Sequence, residues 1–197
     1  MNLTIQPLTA ELIPAYLDFF DNRAFSVTDV NGPCYCTCPT QTSEEIDRMV
    51  SEFAGDIKGT LRKHAAKMLA EGKIRGYLAF DGETAVGWCN AAMKNTYVKN
   101  RYQFIPDFAW DGDSDAVMSV VCFSIAPDYR GKGVSTALLT RVVDDARAAG
   151  CSAVEGYAHL RKGEGEFDFK GPEKLYENLG FTLAAEQNGV AVMRKTL

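Results

Sequence analysis

The stretch from Val117 to Gly150, VMSVVCFSIAPDYRGKGVSTALLTRVVDDARAAG, constrains the fold more than any other part of the chain. Val117 to Ala126 is nearly unbroken apolar sequence with several β-branched residues, the pattern of a strand buried on both faces. Pro127 stops it. Asp128-Tyr129-Arg130-Gly131-Lys132-Gly133 then supplies a turn with two glycines and two positive charges. From Val134 the period changes to that of a helix, with Val134, Ala137, Leu138, Val142 and Ala149 on one face, and Gly150 as its stop.

Strand, basic glycine turn and helix together make a device for holding phosphate. Glycine lets the backbone approach an anion, and a helix N-terminus offers unpaired N–H donors and partial positive charge. The spacing rules out a P-loop, because Lys132 is followed by Gly133 and Ser135-Thr136 come two residues late. A dinucleotide fingerprint fits Gly131 and Gly133 but meets Thr136 at its third glycine.

The arrangement resembles the signature of the Gcn5-related N-acetyltransferases: a strand ending in proline, then Arg/Gln-x-x-Gly-x-Gly/Ala opening a helix. Arg130-Gly131-Lys132-Gly133-Val134-Ser135 matches it, with the small Ser135 at the final Gly/Ala position. A second segment, Leu175-Tyr176-Glu177-Asn178-Leu179-Gly180-Phe181, resembles the family's C-terminal motif, a tyrosine followed by three residues and Gly-Phe. The resemblance implies an α/β (α+β) acyl-CoA N-acyltransferase fold. Its central sheet is mixed, mostly antiparallel, splayed in the middle and flanked by helices. It also implies that the turn, Arg130, Gly131, Lys132, Gly133, Val134, Ser135 and Thr136, binds the pyrophosphate of acetyl-CoA, the expected co-substrate. Phe123, Ser124 and Ile125, on the splayed strand, would pair with its pantetheine arm. Where the family often has an asparagine before the tyrosine, this chain has Asp168-Phe169-Lys170-Gly171.

Composition narrows the class. At 197 residues the chain is long enough for one domain, 1–197, with a sizeable core. A net charge of −5 argues against general nucleic-acid binding. No apolar run approaches a membrane span, and the start, Met1-Asn2-Leu3-Thr4, carries no secretory pattern. Six cysteines, at 34, 36, 38, 89, 122 and 151, read as reduced thiols of a cytoplasmic protein.

Along the chain, Leu3 to Gln6 alternates as a first strand, and Thr9 is placed to cap a helix with Leu12, Ile13, Tyr16, Leu17 and Phe20 on one face. Residues 22–41 read as an irregular loop. Thr42-Ser43-Glu44-Glu45 is a capping box, and Gly55-Asp56 interrupts the helical pattern that resumes to Gly72. Arg75 to Phe80 and Thr84 to Met93 form a hairpin through Asp81-Gly82. Residues 94–115 are a long polar and aromatic loop. After the organising stretch come a strand at Ala153 to His159, a loop at 161–171, a short helix begun by Pro172, and a hairpin turning at Asn188-Gly189.

The chemistry expected of an acetyltransferase assigns roles. Tyr176 is the general acid, since a phenol with reference pKa near 10 can protonate a leaving thiolate. A backbone N–H near Ile125 would face the carbonyl oxygen as it gains charge. Glu155 and His159, four apart on one strand face, are the candidate bases. Glu155 is equally a partner for a lysine, and His159 equally a strand-end surface residue. His64, on an apolar helix face, reads as packed core.

Cys34-x-Cys36-x-Cys38 would turn three thiols one way in an extended segment. Without a nearby histidine no metal is expected; a redox or metabolite-lining role and simple loop packing stay open. The acidic loop 107–115 reads as a solvated surface or as an attractor for a cationic acceptor. The expected partner is a small-molecule or peptide amine, with no nucleic acid and no membrane. A homodimer is possible through the final hairpin's edge. Two other readings are a non-catalytic acyl-CoA-binding module and a thiol or metal sensor built on Cys34, Cys36 and Cys38.

Overall fold

A computed structural model describes residues 2–26, 32–110, 114–160 and 169–197. The strands are β1 (Leu3–Pro7), β2 (Tyr77–Asp81), β3 (Thr84–Met93), β4 (Val117–Ile125), β5 (Ala153–His159), β6 (Thr182–Gln187) and β7 (Val190–Thr196). They join in one sheet of order β1-β2-β3-β4-β5-β7-β6. The β4–β5 pair is parallel and its neighbours are antiparallel, as the mixed, mostly antiparallel expectation required.

Local chemistry explains the elements. The hairpins turn on Gly82 and on Asn188-Gly189, all with positive φ, which matches the twist of paired strands. Helix α1 is Ile13–Asn22, α2 Ser43–Ser51, α3 Ile57–Ala70, α4 Val134–Ala148 and α5 Glu173–Glu177. The Thr42 capping box closes both ways: the Glu45 amide donates to Thr42 Oγ1 at 3.2 Å and the Thr42 amide to Glu45 Oε2 at 2.8 Å. Asp56 caps α3 by accepting from the Gly59 amide. Gly150, at φ +75°, ends α4.

Helices α1 to α3 cover one face of the sheet, burying Tyr16, Phe19, Ile46 and Trp88. Helices α4 and α5 cover the other, burying Val134, Leu138, Leu139, Val142 and Tyr176. β4 sits between both layers, which is why its sequence shows no polar alternation.

Several expectations shift. Thr9 makes no side-chain cap, because a 3₁₀ turn at Ala10–Leu12 precedes α1. β2 begins at Tyr77 rather than Arg75, and Pro172 stands as the N-cap of α5 rather than inside it. Ala149 lies exposed beyond α4, whose buried face instead includes Leu139, Val143 and Ala146. His64 is half-buried rather than core, with Nε2 3.0 Å from Glu52 Oε2. The loops 22–41, 107–115 and 161–171, and Asp168, lie wholly or partly outside the described residues.

Candidate active site

The site grows from one irregularity in β4. Asn90 of β3 pairs with Cys122 and Ala91 with Val120, so the register slips by one at Val121. A bulge of this kind bends its strand. β4 and β5 pair only from Val117–Ala153 to Val120–Gly156, then part, although β4 runs on to Ile125 and β5 to His159. The sheet is therefore splayed beside Phe123.

Tyr176 fills the inner end of that gap. A Cβ on Gly156 would lie 2.1 Å from its Cε1, so the strand has glycine where the ring presses on it. The phenol is fully buried, its ring edge-on to Phe181 at 5.4 Å, and its hydroxyl donates to the Lys170 carbonyl at 2.5 Å. The Phe123 amide points into the same gap and donates to the Phe169 carbonyl at 2.5 Å. By strand alternation the Ile125 amide also faces the gap. The chain thus crosses the splay at 169–171. Phe169 lies on the α1–α3 side against Phe104 and His159, and Gly171 on the far side beside Leu175 and Phe123. Carbonyls of consecutive residues sit on the Phe123 amide, two residues before the Ile125 N–H assigned from sequence, and on the Tyr176 phenol.

At the other end of β4, Gly131 and Gly133 have φ +73° and +82°, left-handed conformations that favour glycine. Gly133 is the N-cap of α4 and no side chain caps that end. The amides of Val134, Ser135 and Thr136 open the helix beneath this turn, a geometry suited to a phosphate. Arg130 Nε holds the Ile125 carbonyl at 3.1 Å, and Lys132 Nζ lies 5.6 Å from the Tyr129 ring centroid. The basic turn is thus tied to the splayed strand.

Glu155 proves to be the lysine's partner. Its Oε2 accepts from Lys94 Nζ at 2.9 Å and its Oε1 from Arg194 at 2.8 Å, with both Glu155 and Lys94 about 97% buried. Tyr157 Oη adds a third bond at 3.2 Å. These bonds tie both carboxylate oxygens to Lys94, Arg194 and Tyr157, which counts against Glu155 as the base. His159 ends β5 at the mouth of the gap, half-buried.

The cysteine loop does not stay extended. Cys36 has φ +50° and Thr37 is helical, yet Cys34, Cys36 and Cys38 all line one cavity. Among the described residues no three His, Cys, Asp or Glu side chains form a metal-holding group. Cys36 instead turns inward. Its thiol pKa lies below the usual range chiefly through the neighbouring Cys122 thiol, with burial opposing and the Asn90 amide donating to the sulfur at 3.2 Å. The Trp88 indole N–H adds electrostatic help without closing a hydrogen bond. Tyr97 Oη donates to Asn90 Oδ1 at 2.8 Å, which fixes the amide so that its nitrogen faces sulfur.

Beside the gap, on the α1–α3 face, lies a cavity of about 560 Å³ that includes Cys36, Cys38, Cys122, Phe123, Ser124, His159 and Phe169 in its lining. Sequence reasoning placed Ser124 on the cofactor strand. Its hydroxyl, 98% buried, faces this cavity and has no partner among the described residues. Nothing in the sequence marked Lys94, whose role depends on a distant partner. None of the described residues of the acidic loop lines the cavity.

The sequence model of the acetyltransferase (GNAT) family matches residues 44–181, which include the turn, the splay and Tyr176. The chain belongs to the acetyltransferase (GNAT) family. The GNAT match leaves β1, α1 and the three loop cysteines outside it. A search of curated proteins gives no match. Among solved structures, similar folds include the PaiA N-acetyltransferase of Thermoplasma acidophilum in complex with coenzyme A (13% identity, all of both chains, TM-score 0.55). An N-acetyltransferase of Staphylococcus aureus Mu50 shares 14% identity over 100% of this chain and 99% of that one, TM-score 0.53. YncA of Salmonella typhimurium, solved with its cofactor acetyl-CoA, shares 14% over 100% and 95%, TM-score 0.52. At such identities these likenesses describe the GNAT fold.

Proposed function

We propose that this GNAT protein is an acetyl-CoA-dependent N-acetyltransferase that acts on an amine by direct attack in a ternary complex. The observation that carries the reading is the splay itself. β4 and β5 part after Val120–Gly156, and a buried phenol and a strand amide converge on the gap from opposite sides. A phosphate-shaped turn stands at the end of the same strand.

Acetyl-CoA, when bound, supplies an activated carbonyl and a thiol leaving group. The residues fit it: the glycine turn and the uncapped α4 amides suit its diphosphate, and the Phe123 and Ile125 amides suit its arm. The chain's own groups then do the rest. The strand amides stabilise negative charge on oxygen, Tyr176 Oη delivers a proton to the departing sulfur, and His159 takes one from the attacking nitrogen. Binding must first lift the Phe169 and Lys170 carbonyls from the Phe123 amide and Tyr176. The metal form of the sensor alternative finds no support in the site, since Cys34, Cys36 and Cys38 form no metal-holding group among the described residues.

The test is coenzyme A release across an amine panel, with Tyr176→Phe and Gly133→Glu. Tyr176→Phe is expected to lower kcat about 100-fold with little change in KM. Gly133→Glu, which forces a side chain and a negative charge into the turn, is expected to abolish acetyl-CoA binding. Full turnover in Tyr176→Phe refutes the proton donor. A binding-competent chain with no turnover on any amine favours the binding-module reading.

A further inference from the structure

We infer that the acceptor is a primary amine carried on an apolar, aromatic body, held in the cavity beside the splay with its nitrogen at Ser124 Oγ. This rests on the acetyltransfer reading above.

The cavity's lining decides the class. It runs from the aromatic wall of Phe25, Phe53 and Phe104 to the thiols of Cys36, Cys38 and Cys122. Sulfur and aromatic edges pack well together, so the cysteine motif outside the family match finds a use as a soft, polarisable wall. No aspartate or glutamate is among the described lining residues, and its one permanently charged side chain is cationic, Lys170. Among the described residues this wall offers a polycation no counter-charge. Val50 and Tyr102, 44% and 52% exposed, carry the apolar surface out to the rim.

Within this apolar lining one polar atom lacks a partner among the described residues, Ser124 Oγ. A buried hydroxyl without a partner is costly, and a ligand that satisfies it gains accordingly. Ser124 is flanked by Phe123 and Ile125, whose amides face the gap. A nitrogen donating to Ser124 Oγ therefore stands at the gap's edge with its lone pair available. The apolar surroundings disfavour the ammonium form, so entry as the neutral nucleophile is built into the chamber. By volume, about 560 Å³ is more than three times the roughly 150 Å³ around a single ring, so a body of one to two rings enters with room left over.

The experiment compares coenzyme A release from 2-phenylethylamine and tryptamine with release from spermidine and kanamycin, alongside calorimetric binding of each amine. We expect the arylalkylamines to show kcat/KM at least about tenfold higher. Ser124→Ala should raise their KM about tenfold, the effect of one lost hydrogen bond. Val50→Glu, at an exposed rim position that tolerates charge, should shift preference toward spermidine. Equal or better use of spermidine or kanamycin overturns the acceptor class and leaves acetyltransfer standing. Arylalkylamine binding that Ser124→Ala weakens, without turnover of any amine, upholds the occupant and overturns the transfer reading. Neither binding nor turnover of the arylalkylamines overturns the inference.

Discussion

Replacing Gly156 with alanine tests whether β5 is built around the Tyr176 ring. The added methyl carbon would lie 2.1, 2.4 and 2.6 Å from Cε1, Cζ and Oη of Tyr176. The ring cannot swing aside, since Phe181 packs against it and its hydroxyl is anchored to the Lys170 carbonyl. Overpacking of this kind costs about 1–3 kcal/mol, and the pinned ring argues for the upper half of that range. Tyr176→Ala should itself cost about 3–5 kcal/mol as a buried aromatic truncation. The two losses should not add, because the truncated side chain vacates the space that the new methyl needs. Urea unfolding followed by tryptophan fluorescence measures all three variants. The double variant is expected to be as stable as Tyr176→Ala alone, giving a coupling of about 2 kcal/mol. Gly156→Ala should also lose turnover to the extent that Tyr176→Phe does. A wild-type urea midpoint for Gly156→Ala, or strictly additive losses in the double variant, would refute this picture of the gap.

Glu155→Gln leaves Lys94 buried without its counter-charge and should cost about 3–5 kcal/mol, while kcat in the folded variant stays within about threefold. A hundredfold loss of kcat with stability intact would restore Glu155 as the base. At high pH the chain should unfold readily: burial pushes Tyr16, Tyr97 and Tyr157 well above the usual phenol range. These groups stay protonated in the native state but ionise near pH 10 when unfolded, so their stabilisation is complete below pH 10 and is lost as pH rises beyond it. Three such groups give a slope of about 4 kcal/mol per pH unit, measurable by urea unfolding between about pH 9 and 11.5; a flat profile there would contradict their burial.

The sequence showed most where chemistry is local. The Arg130–Ser135 turn, the Thr42 box, and the Asp81-Gly82 and Asn188-Gly189 turns each complete their logic within a few residues, and each stands where expected. The splay was legible only through resemblance, because its cause is a register slip at Val121 against β3 that leaves no mark in composition. The Lys94–Glu155 pair joins residues 61 apart, and only the sheet brings them together. The extended segment assumed for Cys34–Cys38 is broken because Cys36 takes a left-handed conformation, although all three thiols still line one cavity. Thr9 failed as a cap because a 3₁₀ turn intervened before α1.

The splay poses a physical problem to any chain that adopts it. Parted strands leave amides aimed at nothing, and a buried N–H without an acceptor is destabilising by about 1–3 kcal/mol. This protein answers with its own backbone, placing the Phe169 and Lys170 carbonyls on the Phe123 amide and the Tyr176 phenol. In the proposed reaction the same two donors serve the transfer, so the contacts that stabilise the free protein would compete directly with acetyl-CoA. A ligand binds such a site only by the difference between the contacts it makes and those it displaces. The Arg130–Thr136 turn lies away from the crossing segment, so under the proposed function binding energy collected from phosphate there would be available to lift residues 169–171 from the gap.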